Sequence, residues 1–205
     1  SASCSVAAVL GDRIVVCIYE RDGGPITAVN SDVSGALTQD RQRAATAAQS
    51  AIYSKENVAG GTHTITVDFT VNRTFDFTVA VFSGQATTGV DATNAAGNSS
   101  TTSHGYGSVT PSASALVITC LGIGSDHGGA TVPAGFTALN VDAGANINRQ
   151  SYAYKEGHTG AITPTTTTTN SVSSDGTIAA YLESAGGGGG AALRPVFTRM
   201  GARRL

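Results

Sequence analysis

At 205 residues with 40% hydrophobic and 13% charged positions, the chain has too much apolar content for disorder and the length of one all-β domain. Twenty-six glycines, abundant Thr, Ser and Ala, and a formal net charge of −2 describe many short strands joined by tight turns. No run approaches the roughly 18 consecutive apolar residues of a membrane helix, and Ser1–Leu10 lacks the basic start and long apolar middle of a secretory signal.

In chain order, Ser1–Leu10 alternates small and apolar residues and reads as a first strand, and Asp12–Glu20 as a second. Ile26–Val33 is a weaker strand that runs out at Ser34-Gly35. Over Asp40–Ser54 a helix competes, because Ala44, Ala47, Ala48 and Ala51 recur at helical spacing. A strand is preferred there, since the matching stretch Asn148–Lys155 (NRQSYAYK) is strand-like. Thr62–Val71 alternates cleanly, with Ile65, Val67, Phe69 and Val71 on one face, which marks a strand wet on one side. Thr78–Phe82 is a short apolar run suited to a buried strand. Gly84–Gly107 shows no periodicity and reads as a long connecting loop. Ser108–Ile123, Phe136–Val141, Gln150–Lys155, the threonine-rich Ile162–Val172 and Thr177–Tyr181 complete the strands.

Several signals recur. Asp76–Gly84 (DFTVAVFSG) returns as Asp175–Glu183 (DGTIAAYLE). Gly11–Gly24 and Ser114–Gly129 are each an apolar strand with a central cysteine, Cys17 or Cys120, followed by an acidic residue and Gly-Gly. Tyr53-Ser54-Lys55-Glu56 is matched by Tyr154-Lys155-Glu156. The order of landmarks is kept while the offsets drift, as when loops change and strands stay. The expected domain is thus 1–185, with pseudo-repeats about 1–85 and 108–185 related by an internal twofold. Two units are too few for a solenoid and fit two halves facing each other in one sandwich. Residues 186–190 form a glycine linker and 191–205 a C-terminal arm.

Tyr53, Gly60-Gly61, Thr64-Ile65-Thr66-Val67 and Val79-Ala80-Val81-Phe82-Ser83-Gly84 together resemble the jelly-roll, concanavalin A-like β-sandwich modules of phage virion proteins and bacterial surface proteins. The resemblance covers roughly residues 1–185 and rests on patterning. It implies an antiparallel sandwich that decorates, bridges or binds surfaces, in a virion or, alternatively, at a cell surface or outside the cell. Fold alone does not fix function.

The chemistry-bearing residues point away from catalysis. A retaining glycan hydrolase needs two carboxylates about 5 Å apart, whereas Glu20, Glu56, Glu156 and Glu183 stand isolated in sequence and read as solvated side chains. No G-x-S-x-G or H-E-x-x-H is present. His63, His104, His127 and His158 lie in glycine-rich or polar stretches without ligand spacing and read as exposed loop residues, so no metal or cofactor is expected. Three cysteines cannot all pair within one chain; Cys17 and Cys120 occupy matching strands from which they can approach each other. A sugar site would use Tyr106 with Asn94 and Asn98, or Tyr152 and Tyr154, but a tyrosine between glycines is more often a loop anchor packed on the body.

The arm departs most from an ordinary sandwich. Of 12 basic and 14 acidic residues, four arginines and no acids fall in 191–205, so the arm carries +4 and the first 190 residues −6. Arg194, Arg199, Arg203 and Arg204 alone would hold nucleic acid only weakly. Leu193, Val196, Phe197 and Met200 interleave them and favour a protein partner, either a second copy or a larger viral shell. The expectation is a non-enzymatic structural or attachment protein, of capsid-decoration or fibre type, anchored by this arm. A carbohydrate-binding adhesin is the alternative and a jelly-roll glycan hydrolase the third reading.

Overall fold

The computed structural model describes residues 1–21, 24–44, 48–70, 74–141, 150–185 and 198–202. The described residues form strands β1 (Ala2–Ala8), β2 (Arg13–Glu20), β3 (Ile26–Ser31), β4 (Gly35–Ala36), β5 (Thr38–Ala44), β6 (Gln49–Lys55), β7 (Gly61–Phe69), β8 (Phe75–Phe82), β9 (Ala92–Gly105), β10 (Ala115–Ile123), β11 (Thr137–Val141), β12 (Gln150–His158), β13 (Thr165–Leu182) and β14 (Thr198–Ala202). They make three antiparallel sheets, ordered β1-β7-β3-β4, β14-β8-β2-β6-β5 and β11-β12-β10-β13-β9.

The sheets stack because β2 is apolar on both faces. Ile14, Val16 and Ile18 pack with Cys4, Val6, Ile65 and Val67 of the four-stranded sheet. Val15, Cys17 and Tyr19 pack with Ile118, Cys120, Tyr152 and Tyr181 of the second five-stranded sheet. The β2 sheet is thus the middle layer, and β2 and β8 are buried at every position, which is why their sequences run apolar without alternation. β7, covered on one side, keeps the alternation: His63, Ile65 and Val67 are buried and the residues between them are not.

The two five-stranded sheets, which face each other, share a strand order. β8-β2-β6-β5 in one is matched by β13-β10-β12-β11 in the other. Cys17 lies opposite Thr78 and Ile52, and Cys120 opposite Thr177 and Tyr152. The four-stranded sheet on the far face of the middle layer was not foreseen.

The outer face of the β10 sheet carries a third cluster, in which Val117, Leu121, Ile178 and Ala180 lie beneath Tyr106, Val109, Phe136 and Ile162. The β9–β13 pair curls over that face. At its outer end Gly105 pairs with Thr165, yet the Gly105 carbonyl lies only 2.5 Å from where a Cβ on Gly176 would sit. The expected loop 84–107 is therefore corrected: residues 92–105 are an edge strand. Its residues are small and half exposed, so no apolar alternation marks it; pairing with β13 supplies the order. The rival helix over Asp40–Ser54 is absent among the described residues, where β5 and β6 stand instead.

Candidate functional site at the C-terminal strand

β8 has β2 on one side, and β14 on the other. Thr198 lies opposite Val79, Arg199 opposite Thr78, Met200 opposite Phe77, Gly201 opposite Asp76 and Ala202 opposite Phe75, antiparallel. β14 also lies alongside β1. Without β14, a strand buried at every position would present a row of unpaired N–H and C=O groups, which is a template for another strand. The pairing at this edge is between main chains. Of the arm residues, Arg199 and Met200 are in this strand; Leu193, Arg194, Val196, Phe197, Arg203 and Arg204 lie outside the described residues.

A second feature, missed in the sequence, ties the sheets together. Arg13, 1% exposed, opens β2 and reaches toward the β10 sheet. Its guanidinium carbon stands 4.5 Å from the ring centre of Tyr181 on β13. It donates to Ser54 Oγ at 3.2 Å, to the Ala86 carbonyl at 3.1 Å and to the Thr88 carbonyl, and lies 3.8 Å from Glu56. Tyr181 in turn donates to Asp40 Oδ2 at 2.6 Å. Burial lowers the Arg13 pKa, against the raising influence of Tyr181, Glu56 and Asp40, and burial raises that of Asp40. With Arg13 and Tyr181 closed to solvent, the group is a latch between sheets. The one sequence signal was a charge at the first position of an otherwise apolar strand.

The carboxylates depart from expectation. Glu20 is fully buried and accepts from the Gly24 N–H at 2.7 Å. Glu156 and Glu183 are not isolated, because β12 and β13 flank β10 and bring their ends together. Glu183 accepts from the Ser114 hydroxyl at 2.6 Å and the Gly157 N–H at 2.9 Å. Burial, then the charge of Glu183, raises the Glu156 pKa.

Three histidines are buried rather than exposed. His63 Nε2 donates to the Ala59 carbonyl at 2.8 Å, so Nδ1 accepts from the Ser31 hydroxyl at 2.8 Å. That hydroxyl oxygen also takes the Val33 and Ser34 N–H groups, so it is a turn lock rather than a nucleophile. His104 Nε2 donates to Thr168 Oγ1 at 2.9 Å and Nδ1 accepts from Ser174 at 2.8 Å. The Gly129 N–H donates to His127 Nδ1 at 3.0 Å. His63 lies on β7 and His104 on β9, each turned to a covered face, and His127 sits in a segment after β10 whose backbone bonds β13, so polarity of sequence did not mean exposure. No group of three or more His, Cys, Asp or Glu suited to a metal occurs among the described residues.

Tyr106 is fully buried, and its hydroxyl bonds Thr166 Oγ1 at 2.6 Å. It offers no ring face to a sugar, and Asn94 and Asn98 bind the Ser108 and Gly105 carbonyls instead. Tyr152 and Tyr154 are buried as well. An open cleft of about 330 Å³ lies elsewhere, between β3 and the β5–β6 edge, lined by Ile26, Thr27, Asn30, Leu37, Gln39 and Tyr53. There the Tyr53 hydroxyl donates to Gln39 Oε1 at 2.8 Å, and burial pushes the phenol pKa up to about 12.

Cys4, Cys17 and Cys120 are free thiols, all buried. Cys17 and Cys120 belong to one core cluster between the two facing sheets, where the Cys120 thiol donates to the Ile18 carbonyl at 3.4 Å; the Cys17 thiol's interaction with Cys120, followed by burial, raises the Cys17 pKa.

The fold and these sites define an all-β, multilayered antiparallel sandwich whose middle sheet is completed by a C-terminal strand. Compared with protein-family models, curated proteins and solved structures, the chain matches none significantly.

Proposed function

We propose that this chain is a non-enzymatic structural or attachment protein, of the capsid-decoration or fibre kind in a phage particle, held in place through its C-terminal arm. What supports the reading is the pairing of 198–202 with β8: the end of the chain engages a sheet edge through its backbone, as strands do in β-addition. Arm and body are opposite in sign, at +4 and −6, which favours contact between them within or between chains. The same reading includes an internal duplication of about 1–85 and 108–185, supported by the shared strand order and the matched places of Cys17 and Cys120. Co-purification tests the role: the full chain should sediment with particles and a 1–190 chain should not. Equal recovery of both would contradict it.

The cleft at Tyr53 favours a second reading, a glycan-binding adhesin, because its lining offers amides and hydroxyls without a charged side chain. A glycan array decides this: selective binding lost in Gln39→Ala would promote the adhesin, and a blank array would remove it.

A further inference from the structure

The acceptor on β8 does not distinguish its own chain's strand from another copy's. The contacts of the β14–β8 pairing are set by the backbone of Phe75–Val79 and the register Thr198↔Val79 to Ala202↔Phe75, and both are identical whether the strand arrives from within or from a neighbour. Twelve residues, 186–197, separate Ala185 from Thr198, five of them consecutive glycines. At about 3.3 to 3.6 Å per residue they span up to roughly 40 Å. A folded chain of this length has a radius of gyration of about 17 Å, so the tether is long enough to reach an adjoining molecule. The arm brings +4 to a body of −6, and every copy presents such a body.

We propose that β14 is an exchangeable strand: the 198–202 segment of one copy pairs with Phe75–Val79 of a second copy, and strand exchange is what joins the copies. This rests on the reading of the arm as the anchor and names its partner as the same chain. Exchange creates no new contact, so its equilibrium is set by concentration and by the tether. Crowding of copies on a surface therefore favours it over closure within one chain.

The test mixes two single variants, Thr198→Cys in one chain and Val79→Cys in the other, under mild oxidation. The native thiols are all buried and do not compete. Exchange predicts a covalent dimer between the two chains, rising with concentration and at least tenfold above a control pairing Thr198→Cys with Val33→Cys. A cross-link found only within a doubly substituted chain would overturn it. A second variant leaves β8 intact: removing Gly186–Gly190 shortens the tether to seven residues, hinders closure within one chain and should raise the oligomeric fraction several-fold. A shortened chain that stays monomeric at all concentrations would also overturn exchange. If the 1–190 chain loses particle attachment while no intermolecular cross-link forms, the anchor stands with a different partner. If the 1–190 chain attaches as the full chain does, the anchor reading itself falls.

Discussion

Arg13 shows what one buried charge does in this fold. Its guanidinium is stacked on Tyr181 and bonded to Ser54 and two carbonyls, so its removal takes away a donor from each of these acceptors inside the packed sheets. Breaking a buried charged network from one side typically costs about 3 to 5 kcal/mol. Arg13→Ala should accordingly lower the Tm by roughly 10 °C in a chain of this size, read by calorimetry; a change under 2 °C would contradict the latch. His104 makes a pH prediction. Burial, and then the nearby His127, lower its pKa below the ordinary histidine value of about 6.5. Above 6.5 the imidazole is neutral folded and unfolded; below it the unfolded chain binds a proton that the folded chain resists, so stability falls as the pH drops. Urea midpoints should decline from pH 7.5 to pH 5, and His104→Gln should flatten that decline. An unchanged slope in the variant would assign it elsewhere. Neither residue was legible as such: a lone Arg at a strand start and a His among glycines look like surface until the loops are placed.

Among the elements, the strongly patterned ones were read well and the small-residue ones were not. β2, β8 and β10 announced themselves through continuous apolar runs because each is covered on both faces. β9 was invisible, since Ala, Asn, Ser and Thr on a half-exposed edge carry no periodicity. The poly-threonine of β13 was legible as strand but not for its purpose. Thr166 and Thr168 turn inward to Tyr106 and His104, while Thr165 and Thr167 face out. The curl of β9 over β13 makes Gly176 a sensitive point, because a Cβ there would stand 2.5 Å from the Gly105 carbonyl and 3.1 Å from Tyr106. Gly176→Ala forces backbone apart and should cost about 1 to 3 kcal/mol, as overpacking does. A urea midpoint equal to that of the parent would show that the layers are not so closely apposed. Composition and charge mark a candidate arm but not the strand it would meet, since which strand lies at an edge is a property of the assembled sheet.

For the whole molecule, the question is whether the C-terminal strand belongs to the fold or to the assembly. Pairing five residues gains about 0.5 to 1.5 kcal/mol for each hydrogen bond, while ordering them costs about 1 to 2 kcal/mol per residue. These nearly cancel, so closure within one chain is marginal and a neighbour's edge or a multivalent surface can compete for the strand. The clusters of the described residues join strands from β1 to β13 across all three sheets, and the body is expected to fold without residues 191–205. The most direct measurement is light scattering after size exclusion on the full chain and on the 1–190 chain, with circular dichroism on both. The account predicts a concentration-dependent oligomer for the full chain and a folded, β-rich monomer for the truncated one. Identical oligomeric states, or a truncated chain that does not fold, would contradict it.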